Sequence, residues 1–297
     1  MTVLLKNSPS IPKFAAQTQC ILEKTLLFHN SASEISFAMT TIILEKTHGI
    51  GKIILNRPKV FNSFNAEMRK AMLGALDDCA KDSTIRCVII TGEGKAFSAG
   101  QDLAEIVDKN TAPTFEELLD EGFNLIALKI RQLEKPVIAA VNGVAAGAGA
   151  NLALCCDIVV ATESAGFIQA FSKIGLVPDT GGSWTLPRLV GFSRASALMM
   201  LAEKVSAREA ETMGMIYRCY EDDLFENNVA LMAKTLSEMP TRALALIKKA
   251  LNESFSNDFE AQLALETYTQ SQAASTKDYT EGVLAFLEKR KPVFKGV

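Results

Sequence analysis

The sequence predicts an α/β fold, a spiral of repeated β-β-α units followed by a helical C-terminal region. Three observations lead there. Short apolar runs alternate with stretches of helical periodicity between Thr41 and Ala161. Gly and Ala crowd the links that leave several of those runs. Beyond about Ser193 the strand pattern nearly vanishes and helical spacing takes over. At 297 residues the chain is long enough for one large domain with an ample core.

Residues 1–38 are irregular, Ser- and Lys-bearing and free of Arg. The apolar run at 20–28 is interrupted by Glu23 and Lys24, unlike a secretory signal, and a transit peptide would carry more Arg. The segment reads as a poorly structured extension, or as sequence upstream of a start at Met39. Ile42–Glu45 and Ile50–Leu55 read as strands joined by a turn at His48-Gly49, with Asn56-Arg57-Pro58 ending the second. Met68, Met72, Leu76 and Cys79 recur at helical spacing, and Asn65 is placed to cap that helix. Cys87–Thr91 is a buried strand, and Phe97–Asp102 is a loop leading to a helix around Phe115–Gln132. Val137–Val141 and Asp157–Ala161 are strands flanking a short helix at Ala148–Cys155. After Ser193 only Ile216–Tyr220 reads as a strand. Helices follow at Arg194–Ala202, Ala207–Met213, Leu224–Glu238, Thr241–Asn252, from Phe259, and at Thr280–Lys289. The core is therefore expected over 39–192, with 193–297 as a helical subdomain or oligomer surface.

A net charge of −3 gives no footprint for nucleic acid or an anionic membrane. The apolar stretch 137–161 contains Asn142, Asn151 and Asp157, so it reads as strand, helix and strand rather than a membrane span. Six cysteines without metal-type spacing read as reduced thiols of a cytoplasmic protein. Only two histidines occur, His29 in the N-terminal segment and His48 in a turn. A Ser-His or Cys-His relay and a His-rich metal site are thus excluded, and acid–base work falls to a carboxylate, Lys or Tyr.

Two Gly/Ala loops carry the candidate chemistry. In Ala96-Phe-Ser-Ala-Gly-Gln-Asp-Leu103 the amide of Gln101 is one possible donor to an oxygen. In Gly143-Val-Ala-Ala-Gly-Ala-Gly-Ala150 the amide of Ala148 falls in the first turn of a helix, where it lacks an intrahelical acceptor. Together they would form a two-donor oxyanion hole, although close helix–strand packing also selects Gly and Ala. Asp179 precedes Thr180-Gly-Gly-Ser183, so its carboxylate serves either as a helix cap or as a base.

The two loops in this order, with Leu55-Asn-Arg-Pro-Lys59, Cys156-Asp-Ile158, Gly175-Leu-Val-Pro178, Leu186-Pro-Arg-Leu-Val-Gly191 and Glu281-Gly-Val-Leu-Ala-Phe-Leu-Glu-Lys-Arg290, resemble the crotonase (enoyl-CoA hydratase/isomerase) superfamily from about residue 40 to 297. The resemblance implies a crotonase-like spiral, a helical trimerisation region over 193–297, and a homotrimer or dimer of trimers. It implies an acyl-CoA thioester whose carbonyl oxygen sits between the amides of Gln101 and Ala148. No cofactor is implied, because coenzyme A belongs to the substrate. Lys59, Val60 and Phe61 would lie beside the pantetheine and phosphates, Ala99 in the oxyanion loop, and Asp102 and Leu103 near the adenine. Lys291 and Phe294 would reach the nucleotide from a neighbouring subunit.

Hydratases of the family use two glutamates, which would fall here at Asn151 and Phe171, and neither side chain transfers protons near neutral pH. The family's dehalogenases place an aspartate where Asp179 stands but also need a histidine base. What remains resembles the single-carboxylate isomerases that convert ring-1,2-epoxyphenylacetyl-CoA to an oxepin-CoA in phenylacetate catabolism and shift 3-enoyl-CoA double bonds to position 2. Burial of Asp179 among Phe171, Val177 and Trp184 is expected to raise its pKa. An enoyl-CoA hydratase and a non-catalytic CoA- or RNA-binding member are the alternatives.

Overall fold

Two parallel-rich sheets, wound together, form the scaffold of the site. The computed structural model describes residues 41–107 and 112–297; the expected N-terminal extension, with His29 and Cys20, lies outside the described residues. Met39–Val297 is one compact unit.

The hairpin β1 (Ile42–Thr47) and β2 (Ile50–Leu55) turns at His48 and Gly49, both with positive φ. α1 (Ala66–Lys81) starts where the Asn65 side chain accepts from the Met68 N–H. β3 (Cys87–Gly92) continues into β4 (Ala96–Ser98), where the sequence suggested only a loop. Then come α2 (Ala104–Val107), α3 (Phe115–Leu118), a π-helical turn at Leu119–Phe123, and α4 (Asn124–Gln132). β5 (Val137–Val141), β6 (Val144–Ala146) and α5 (Ala148–Leu154) form the next turn of the spiral. β7 (Ile158–Thr162) and β8 (Gly166–Ile168) follow, leading through a 3-10 turn at Ala170–Ile174 to α6 (Gly182–Val190) and α7 (Phe192–Leu201). β9 (Lys204–Ser206), α8 (Ala207–Thr212) and β10 (Arg218–Tyr220) precede four helices, α9 (Phe225–Glu238), α10 (Thr241–Glu253), α11 (Phe259–Ala274) and α12 (Lys277–Leu287). β9 is a strand the sequence reading did not expect.

One sheet has the order β1-β2-β3-β5-β7-β10 and the other β4-β6-β8-β9. The pairs β3/β4, β5/β6 and β7/β8 thus each give one longer strand to the first sheet and one three-residue strand to the second. The long strands alternate in side-chain direction. Val88, Ile90, Val137, Ala139 and Val141 join the main core with α1, while Cys87, Ile89, Ile138 and Val160 pack on Phe225, Val229 and Ala233 of α9. Each fully buried Ile or Leu in this core is worth about 1.5–3 kcal/mol.

The helical region is tied to the spiral by a buried ion pair. Lys248 of α10 donates to Asp157 Oδ2 at 2.8 Å, and the same oxygen accepts from the Val137 N–H. Burial pushes the Asp157 carboxyl up and the Lys248 ammonium down from their usual values.

Candidate active site

The carbonyl ends of β4 and β6, in the second sheet, open onto a cleft of about 380 Å³. Gln101, Ala148 and Asp179 all line it, together with Val60, Ala99 and Leu103. The three residues expected to do chemistry therefore meet in one place, although they are distant in sequence. Apolar walls come from Ile106, Phe115, Leu118, Phe171, Ile174 and Leu176.

The first donor is set by backbone bridging. The Phe64 N–H donates to Gly100 O at 2.7 Å, and the Asp102 N–H donates to Phe64 O at 3.0 Å. Strand alternation then turns the N–H of Gln101 away from Phe64. The Gln101 side chain is otherwise engaged: its Oε1 accepts from Arg69, and its Nε2 donates to Glu105 Oε2 and Asp102 O. The donor offered to a ligand is consequently the backbone amide.

The second donor is the N–H of Ala148, the first residue of α5, whose start at Gly147 has no side-chain cap. Gly100, with φ +86°, lets the two loops approach: a Cβ there would lie 3.0 Å from the Ala148 nitrogen and 2.9 Å from Ala146 O. The glycines thus meet both demands, close packing and exposed donors.

Asp179 is half-buried. It does not cap α6. The helix begins after Gly181 with no side-chain cap, and the Gly182 N–H bonds to the backbone carbonyl of Asp179 at 2.8 Å. Thr180 and Gly181, both with left-handed φ, provide that start. The one side chain that donates to the carboxylate among the described residues is Thr180, at 2.7 Å. Burial pushes the Asp179 carboxyl above its ordinary value, and the Thr180 bond offsets part of that rise. The apolar surroundings differ from those expected from sequence. Phe171 is buried beside it in the cleft, but Val177 is 79% exposed, and Trp184 stacks under Arg188.

The remaining expected contact residues are dispersed. Lys59 and Phe61 are exposed beside Val60 and do not line the cleft. Asp102 pairs with Arg57 at 2.8 Å and bonds the Ala104 N–H, which ties two loops together. Lys291 pairs with Glu238, and Phe294 packs over Gly282, where its carbonyl accepts from Arg86. His48 is exposed in the β1–β2 turn. Among the described residues no cluster of His, Cys, Asp and Glu could hold a metal ion, and no helix is long and apolar enough to cross a membrane.

Sequence reasoning missed the support beneath the first donor. Arg69 is buried, and one of its nitrogens reaches both Gln101 and Glu105. The signal was present: Arg69, Met72 and Leu76 share one helical face, so a charge stands in an apolar stripe. The walls from Ile106, Phe115 and Leu118 had no such marker.

A family model described as enoyl-CoA hydratase/isomerase matches residues 45–297. The chain is 44% identical over 260 residues to 1,2-epoxyphenylacetyl-CoA isomerase of Escherichia coli, covering 87% of this chain and 99% of that protein. It is also 44% identical over 256 residues to a Rhodobacter capsulatus protein described as a probable enoyl-CoA hydratase, covering 86% of this chain and 98% of that one. The crystal structure of an enoyl-CoA hydratase from Polaromonas matches with a TM-score of 0.81 at 36% identity, over 85% of this chain and 99% of that chain.

Proposed function

We propose a reaction from one premise: this chain belongs to the enoyl-CoA hydratase/isomerase family. The reaction is isomerisation of an acyl-CoA through a thioester enolate. Its substrates are ring-1,2-epoxyphenylacetyl-CoA, converted to an oxepin-CoA, and 3-enoyl-CoA, converted to 2-enoyl-CoA. One observation carries the reading. A carboxylate free of capping duty, with a raised pKa, lines the same cleft as Gln101 and Ala148, the two residues whose backbone N–H groups are the candidate donors.

The thioester oxygen would accept from the N–H groups of Gln101 and Ala148. That interaction strengthens as negative charge develops on the oxygen, and it is worth about 2.7–4 kcal/mol of barrier per donor. Asp179 removes a proton from the carbon next to the thioester carbonyl. With a 3-enoyl substrate the resulting dienolate takes the same proton back at C4, so the double bond moves and no atom is gained or lost. One carboxyl group suffices because water is not added. The raised pKa brings Asp179 nearer the operating pH, as general-base catalysis favours.

Hydration is disfavoured by the two positions where hydratases need glutamates. Asn151 is wholly buried and Phe171 is an apolar wall. The reaction needs no resident cofactor. A cytoplasmic homotrimer or dimer of trimers working in phenylacetate catabolism fits the family, and exposed apolar residues on the C-terminal helices, Phe259, Phe286 and Leu287 among them, support self-association. Lys291 and Phe294 would then be presented to the nucleotide of a neighbouring subunit's substrate.

The test is Asp179→Asn assayed by mass spectrometry on a panel of acyl-CoAs, since hydration adds mass and isomerisation does not. Loss of isomerisation in the variant is expected. An unchanged rate would overturn the mechanism.

A further inference from the structure

We infer that Asn151 is a positioning residue that aims the Asp179 carboxylate, a role that rests on the isomerase reading above. Asn151 is 0% exposed within α5 and does not line the cleft. Its Nδ2 donates to the backbone carbonyl of Asp179 at 2.9 Å, and its Oδ1 accepts from Gln169 Nε2 at 2.8 Å. The Asp179 backbone carbonyl can only accept, so the NH2 end of Asn151 must face it, and the Oδ1 end is left to accept from Gln169 Nε2. With the Gly182 N–H on the same carbonyl, two donors hold the peptide that carries the carboxylate.

Two further details show how closely this clamp is built. A Cβ at Gly182 would lie 2.2 Å from Asn151 Nδ2, so only glycine admits the amide. Gln169 is itself buried, and its Oε1 has no partner among the described residues. A buried oxygen without a donor is unfavourable, and the one hydrogen bond the Gln169 side chain makes among the described residues is to Asn151.

The arrangement also explains why position 151 carries no acid. A carboxylate there would point an acceptor at the Asp179 carbonyl, and the clamp would become a repulsion. Asn151 therefore serves proton transfer from outside the cleft, by fixing where Asp179 stands. A misplacement of roughly 1 Å at such a group costs on the order of 10²-fold in rate.

Two variants test this. Asn151→Ala removes the clamp. Gln169→Leu removes the group that donates to it: the unpartnered Gln169 oxygen goes while Asn151 Oδ1 loses its donor, so the two changes offset in stability and this variant stands in if the first is unstable. Each is measured for kcat and KM in 3-enoyl-CoA isomerisation, for melting temperature, and for the Asp179 carboxyl pKa by carbon-13 NMR. The expected result is a kcat lower by on the order of 10²-fold in Asn151→Ala, a smaller drop in Gln169→Leu without loss of melting temperature, and KM nearly unchanged. The Asp179 pKa should fall toward the ordinary carboxylate range as the released peptide lets the group reach water. Unchanged kcat in folded variants would overturn the inference while leaving the isomerase reading intact. If the parent does not isomerise any 3-enoyl-CoA, that reading fails instead. The clamp is then judged by NMR alone, and an Asp179 pKa unmoved by Asn151→Ala overturns it.

Discussion

Arg69 donates to Gln101 Oε1 at 2.9 Å and, from the same nitrogen, to Glu105 at 2.7 Å, beneath the loop whose Gln101 N–H is the first donor proposed for the thioester oxygen. Glu105 also accepts from Gln101 and from the Ala66 N–H at the start of α1. Burial alone would raise the Glu105 carboxyl, yet these donors together hold it below its usual value. The N-terminus of α1 and the Gln101 loop are therefore parts of one network.

Arg69→Met removes the cation and leaves the half-buried Glu105 without its counter-ion, with only the Gln101 and Ala66 donors remaining. A loss of about 3 kcal/mol in stability is expected, read by urea unfolding, together with a lower kcat as the Gln101 loop loosens.

Gly122→Ala acts on the same network from above. A Cβ at Gly122, in the π-turn, would lie 2.6 Å from the Arg69 side chain. Alanine usually stabilises a helix by up to about 1 kcal/mol over glycine. Here we expect the reverse sign, measured as a lower melting temperature.

Gly100→Ala adds a methyl where φ is +86° and where Ala146 O and Ala148 N stand within 3.0 Å. The loops must separate, so both donors lose their aim. A fall in kcat on the order of 10²–10³-fold is expected, with the fold verified by circular dichroism.

The pH dependence follows from Asp179. As a base it must be ionised, so kcat/KM should fall on the acid side with a limb above the ordinary carboxylate value, because burial raises the group. Thr180→Val removes the bond that counteracts this and should move the limb further up. The linkage to stability has the opposite sense. A carboxyl whose folded pKa is raised binds more protons in the native state between its unfolded and folded pKa values, so the native state loses stability as pH rises through that window. Asp179→Asn should therefore melt higher than the parent at neutral pH and equally at low pH, as calorimetry at two pH values will show.

The hairpin, α1 and the long strands could be read from the sequence because alternation and caps extend over enough residues to leave a pattern. β4, β6, β8 and β9 are three residues each, shorter than any window in which alternation can register. The location of the candidate site was legible where glycine marked it, at Gly100, Gly147 and Gly181. The role of Asn151 was not, since a buried amide reads in sequence only as a missing acid. The surroundings of Asp179 were misjudged at Val177 because the turn before α6 points that side chain to solvent.

The helix that follows Asp179 starts on backbone geometry alone. Position 179 is for that reason a socket: its side chain can be exchanged without dismantling the element that presents it. A scaffold of this kind can change the group it presents to the cleft by altering one residue, while the Gln101 and Ala148 loops and the spiral that positions them stay as they are.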